Sequence, residues 1–186
     1  ITYILTIVHR DIKLDNILID LNNIVKICDF GVSKQVNVNT IMKEQCGTPA
    51  YMAPELIKGK GYEGYAIDLW SVGVVLYAML SGTVPFKGND ITELHTAIMK
   101  GAFKQIEDIS KEAEHLVRSL LEVDPNKRIN IEQVLYHPWL VNVDINCFKS
   151  YNLFTNAEKV LLAKINVDYR DAYNKDDMIE HFCVLN

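Results

Sequence analysis

The stretch IVHRDIKLDN, residues 7–16, decides how the rest of the chain is read. Moving a phosphoryl group onto a hydroxyl needs a carboxylate beside that hydroxyl, a cation beside the moving phosphate, and oxygen ligands for a hard metal ion. Asp11, Lys13 and Asn16 offer all three within a few residues. A second metal-binding carboxylate belongs on a neighbouring loop, and the triplet DFG at 29–31 provides it as Asp29. An HRD triplet alone arises by chance. HRD with Lys two positions on and Asn five positions on, then DFG, is a specific pattern.

Working outward, NILIDLNNIVKICDF (16–30) alternates apolar residues in two short runs around Leu21, Asn22 and Asn23, the pattern of a small β-hairpin. Residues 32–50 are polar and aperiodic and read as a long loop, which in a compact domain is usually functional. EGYAIDLWSVGVVLYAML (63–80) is apolar nearly all round, as expected of a helix buried on all sides. Residues 69–86 carry no charge. Their helical part is expected to run about twelve residues, short of the roughly 20 that span a bilayer, so no membrane is implied. In NDITELHTAIM, Ile91, Leu94 and Ile98 share a face behind Asn89 or Asp90 as cap. Ser110 caps a helix with Ala113, Leu116, Val117, Leu120 and Leu121 on one stripe. DPNKR breaks that helix, and a last one is expected from Asn130 up to Pro138.

Composition sets limits on the whole. The chain has 186 residues and a formal net charge of -5, so nothing suggests a phosphate-backbone binder, which would normally carry a basic surface. No nucleic-acid partner follows. Cys28, Cys46, Cys147 and Cys183 are scattered without metal-ligand spacing, so they read as free thiols of an intracellular, cytoplasmic protein.

GTPAYMAPE (47–55) and DLWSVGVVLY (68–77) follow the HRD and DFG stretches in order. Together they resemble the protein kinase family over about residues 7–141. The resemblance implies a mainly α fold with a small β-hairpin region: the large, C-terminal lobe of the protein kinase-like fold over 1–141, with 142–186 as an extension. It implies ATP and Mg²⁺, with Asp11 as catalytic base, Lys13 steadying the transferring phosphate, and Asn16 and Asp29 as Mg²⁺ ligands. Leu18 would lie beneath the adenine, and His9 and Phe30 would join a stacked hydrophobic spine. Thr48 would link the loop after DFG to Asp11 and Lys13. Asp68 is similar to a carboxylate that bonds the catalytic-loop backbone, and Glu55 with Arg128 to a buried ion pair. Lys13 and GTPAYMAPE match the serine/threonine branch, with a protein as substrate. Asp15 is either a reader of basic residues in that substrate or a solvated loop acid.

Arg10 can face a phosphate on Thr40 or Ser33, or the permanent charge of Glu44. MKEQCGTPAYMAPE and LLEVDPNKRINIEQVLYHPWL are most similar to the calcium/calmodulin-dependent group, including calcium-dependent kinases, so a calcium-sensing region elsewhere in the parent chain is an implied partner.

The family's small lobe has no counterpart here. Only eight residues precede His9, and the chain is read as holding no Gly-x-Gly-x-x-Gly phosphate loop. Two readings stay open. The chain is part of a larger serine/threonine kinase and inactive or nearly so alone, or it is a catalytically inactive kinase-like binding module. The intact set of Asp11, Lys13, Asn16 and Asp29 favours the first. Residues 151–186 hold four Lys/Arg against six Asp/Glu and no EF-hand loop, so the tail reads as a packing or autoregulatory segment rather than a calmodulin target.

Overall fold

The computed structural model describes residues 7–21, 23–36 and 40–141. The segment 142–186, with its expected packing or autoregulatory role and Cys147 and Cys183, lies outside them. Strands come first and are short. β1 (Ile7–Val8) leads through a 3₁₀ turn at Leu14–Asn16 into β2 (Ile17–Ile19) and β3 (Val25–Ile27). β2 and β3 form the expected antiparallel hairpin, with Ile17 opposite Ile27 and Ile19 opposite Val25. Asn23, in the left-handed region at φ 61°, makes the turn possible, and its amide donates to the Asp20 carbonyl at 3.0 Å.

The stretch 32–50 is not a bare loop, as the sequence suggested. β4 (Lys34–Gln35) pairs antiparallel with β1, and β5 (Ile41–Met42) pairs with β6 (Tyr62–Glu63). A two-residue pairing has no hydrophobic alternation to announce it. Between β5 and β6 lie a 3₁₀ turn at Pro49–Tyr51 and α1 (Pro54–Lys58).

α2 (Gly64–Ser81) runs 18 residues and matches the 63–80 stretch read as a helix; its uncharged apolar part is the shorter piece from Leu69 on. Its first turns include Asp68, whose charge is satisfied by backbone amides and so does not end the helix. By length and composition it passes for a membrane-crossing helix. Its packing is that of a core element: Trp70 and Val74 are fully buried, and the Trp70 ring stacks on Phe86 at 5.5 Å and 9°. Phe103 meets Phe86 and Tyr77 edge-on. α3 (Ile91–Lys100) is capped by Asp90, which accepts from the Glu93 amide at 2.8 Å. Of its expected stripe, Ile98 is buried and Leu94 half-buried, but Ile91 is half exposed. It occupies the first helical position, a turn short of the core.

α4 (Lys111–Leu120) packs on α2 with the whole expected stripe buried, and Ser110 caps it through the Ala113 amide at 3.1 Å. The helices approach so closely because position 73 is glycine. A Cβ there would sit 2.8 Å from that of Leu120. α5 (Ile131–Leu135) starts at Asn130 with a reciprocal capping box to Gln133, and a 3₁₀ turn follows at Pro138–Leu140.

The reading that no Gly-x-Gly-x-x-Gly occurs needs correction, because GKGYEG at 59–64 has that spacing. The structure gives it another use. Gly59 ends α1 in the left-handed region at φ 66°, and Gly64 opens α2 against Val8 and Met42. This is a tight connection between packed elements, not a turn opening from a strand towards a phosphate.

Candidate active site

The site grows from the backbone of residues 9–11. Asp68, on α2, accepts the His9 amide on Oδ2 at 2.8 Å and the Arg10 amide on Oδ1 at 2.9 Å. Burial pushes the Asp68 carboxyl above its ordinary range, and the two amides offset only part of that. The two bonds hold Arg10 at φ 68°, a conformation that is costly for a non-glycine residue and that aims the next side chain. His9 Nε2 lies 3.0 Å from the Cys28 carbonyl, so that nitrogen carries the proton, while Nδ1 accepts the Asp11 amide at 3.3 Å. The ring of Phe30 meets His9 edge-on at 4.8 Å. The hairpin end and the 9–16 loop are thereby one packed unit.

Asp11 is the hub. Its Oδ1 accepts both the amide and the hydroxyl of Thr48, each at 2.8 Å. Its Oδ2 lies 3.0 Å from Lys13 Nζ and 3.4 Å from Asn16 Nδ2. Lys13 Nζ also donates to Thr48 Oγ1 at 3.0 Å, so that hydroxyl accepts from Lys13 and donates to Asp11. Burial alone would raise the Asp11 carboxyl. The bonds from Lys13 and from the Thr48 hydroxyl and amide outweigh it, and the carboxyl sits below its ordinary value. The bond to Asp11 raises the Lys13 ammonium in turn. The result is a charged carboxylate with one oxygen fixed by Thr48 and the other facing the Lys13 ammonium.

Asn16 is buried, and its amide nitrogen is used up on the Asp11 carbonyl at 2.9 Å and on Oδ2. That leaves its amide oxygen as the atom able to accept a hydrogen bond or ligate a metal. The Cys28 amide bonds the Asn16 carbonyl at 2.9 Å, which brings the end of β3 alongside the loop and Asp29 just beyond it. Asp29 is held in the left-handed region at φ 61°, and its Oδ1 accepts the Gly31 amide at 3.3 Å. An amide oxygen and a carboxylate suit Mg²⁺, which keeps several waters and needs few protein ligands. Among the described residues no cluster of three His, Cys, Asp or Glu could hold a metal. Leu18 is half exposed on β2, and Asp15 is exposed beside the loop.

The far side of the site is anchored from below. Arg128 donates to Glu55 twice, at 2.6 and 2.9 Å, and to the carbonyls of Glu122 and Ala66, with its guanidinium 5.1 Å from the Trp70 ring centre. Ser71 Oγ donates to the Tyr51 carbonyl at 2.9 Å and ties the Pro49–Tyr51 turn to α2.

A family model described as protein kinase domain matches residues 2–140. This chain belongs to the protein kinase domain family. It is 40% identical over 135 residues to the serine/threonine-protein kinase SIK3 homolog of Danio rerio, covering 73% of the chain and 11% of that protein. It is 44% identical over 135 residues to CBL-interacting serine/threonine-protein kinase 5 of Arabidopsis thaliana, covering 71% and 30%. With the probable serine/threonine-protein kinase KIN1 homolog of Encephalitozoon cuniculi it shares 40% over 164 residues, 88% of the chain and 28% of the relative. The chain therefore spans less than a third of the length of each of these relatives.

In this kinase domain the fold brings Asp11, Lys13, Asn16 and Thr48 into direct contact, with Asp29 on the adjoining loop. Sequence reasoning passed over Gly47. At φ 108° its Cα faces Arg10, and a Cβ would lie 2.7 Å from the Arg10 carbonyl oxygen, so only glycine lets the Thr48 amide reach Asp11. A glycine immediately before the linking threonine was the available signal. Lys34 was passed over too. A lysine in an aperiodic stretch gives no sign that its ammonium will meet Glu44 at 2.6 Å.

Proposed function

We propose that this chain is the large, mainly helical lobe of a serine/threonine protein kinase, residues 1–141, followed by an extension at 142–186. In the parent protein it transfers the γ-phosphate of ATP to serine and threonine hydroxyls of proteins. One observation carries the reading: Asp11 has one oxygen fixed by Thr48 and the other beside Lys13, with Asn16 and Asp29 next to it. The exposed apolar surface of the hairpin at Leu18, Ile19, Val25 and Ile27 also supports it, because that surface asks for a covering layer.

The chemistry follows from the groups. A substrate hydroxyl approaches Asp11 Oδ2, which orients it and takes its proton as the oxygen attacks phosphorus. Thr48 keeps Asp11 Oδ1 from turning away. Lys13, held by Asp11 and Thr48, swings its charge towards the phosphoryl oxygens as negative charge moves to the bridging oxygen of the leaving ADP. Asn16 and Asp29 would hold Mg²⁺, which when bound neutralises phosphate charge. Leu18 would pack beneath the adenine, and the exposed Asp15 would either meet a basic residue of the substrate or remain a solvated loop acid.

The test is phosphorylation of a basic Ser/Thr peptide by the longest native polypeptide that contains this chain. Transfer to Ser or Thr, reduced at least about 100-fold by Asp11→Asn, is the expected result. No transfer by the unmodified protein would leave an inactive binding module as the better reading. We place the parent in the calcium-regulated group on its 42–55 and 120–140 stretches, and a rate indifferent to Ca²⁺ would remove it from there. Cys28 and Cys46, both free, suit an intracellular site of action.

A further inference from the structure

Arg10 precedes Asp11, and an anion could reach it from three nearby residues, Ser33 or Thr40 if phosphorylated, or Glu44 as it stands. The structure puts the glutamate there. Glu44 Oε1 accepts from Lys34 Nζ at 2.6 Å, and Oε2 lies 3.5 Å from Arg10 Nη1. Arg10 is itself braced, since Nε donates to the Val32 carbonyl at 2.5 Å and its side chain is only 11% exposed. The main chain of Glu44 is fixed separately, because Tyr62 Oη donates to its carbonyl at 2.8 Å.

We propose that Glu44 is a positioning residue whose carboxylate clamps the segment ahead of Thr48 onto Arg10 and Lys34, so that the acceptor side of the site is set without a phosphate on that segment. This rests on the serine/threonine kinase reading above. Two attachments lie four residues apart on the segment, Glu44 and Thr48, and they engage neighbouring loop residues, Arg10 and Asp11. Between them Gly47 runs against the Arg10 carbonyl, with no room for a side chain. Losing the first attachment therefore loosens the second, and through it the fixed oxygen of Asp11. The bond from Lys34 holds the Glu44 carboxyl below its ordinary range, which favours its charged form. The Glu44 side chain is 56% exposed, which makes the clamp weak and open to screening by salt.

The test uses the longest native polypeptide containing this chain, made in bacteria and treated with a protein phosphatase. The wild type should keep its activity after that treatment. Glu44→Gln, of the same shape without the charge, should lose roughly threefold to tenfold in kcat/KM, and Glu44→Asp should recover part of it. The gap between wild type and Glu44→Gln should narrow as salt rises from about 0.05 M to about 0.5 M, which a purely structural role would not produce. Amide hydrogen exchange at residues 44–48 should be faster in Glu44→Gln. Loss of wild-type activity on phosphatase treatment, or a Glu44→Gln variant equal to wild type in rate and exchange, would overturn the proposal. If the unmodified protein transfers no phosphate at all, the kinase reading fails on its own, and exchange still decides the clamp: faster exchange upholds it and unchanged exchange removes it.

Discussion

Replacing Arg128 by methionine should be among the most damaging single changes outside the catalytic loop. Its guanidinium answers both oxygens of Glu55 and the carbonyls of Ala66 and Glu122, and the Arg128 and Glu55 side chains are 1% and 8% exposed. Methionine fills much of the volume but leaves a buried carboxylate facing no cation and two carbonyls without donors. Breaking a buried pair from one side costs about 3–5 kcal/mol, a large part of the ~5–15 kcal/mol that holds a domain together. With a urea slope of about 2 kcal/mol/M, the midpoint should fall by about 1.5–2.5 M. The assay is urea unfolding of the chain followed by tryptophan emission, because Trp70 lies against Arg128 and is fully buried in the native state. The double variant Glu55→Gln with Arg128→Met removes the orphaned charge and should recover part of the loss, since the penalty lies in the unpaired carboxylate and not in a missing attraction. A loss under about 1 kcal/mol for Arg128→Met, or a double variant worse than the sum of its parts, would refute this account of α1 and its anchor.

Two further outcomes concern protons. Thr48→Val removes a hydroxyl that favours the charged form of Asp11, so the Asp11 carboxyl should rise towards its ordinary value. The acid limb of the rate profile of the parent kinase should then move to higher pH, and a limb that stays in place would separate Thr48 from the base. His137 is buried, accepts the Trp139 amide on Nδ1 at 3.2 Å, and faces His115 Nδ1 from Nε2 at 2.8 Å. Burial, then the neighbouring His115, lower its value below the ordinary 6.5. The unfolded chain therefore takes up a proton that the folded one resists, so stability present above pH 6.5 is lost as pH falls through that value. His137→Asn keeps a cap acceptor but does not titrate. Its melting temperature should fall less than that of wild type between about pH 7 and pH 5.5, and parallel curves would count against the histidine pair.

Part of this molecule is written locally. The spacing of Asp11, Lys13 and Asn16 is a loop chemistry that needs no partner to be read. The β2–β3 hairpin follows from alternation around a turn, and the caps at Ser110 and Asn130 from a side chain and an amide three positions on. The stripe of α4 is likewise a property of its own sequence. The membership of Thr48, Asp68, Glu55 and Arg128 was legible only through resemblance, because their partners lie 37, 59 and 73 residues away. Tertiary structure alone decided that Ile91 stays outside the core, that GKGYEG is a connection, and that Glu44 rather than a phosphate carrier meets Arg10. The reason is physical. Periodicity tells which face of an element is apolar and capping tells where it begins, but a charge finds its partner only after packing has fixed which backbones run close. Here the close approaches at Gly47 and Gly73 are what set those distances.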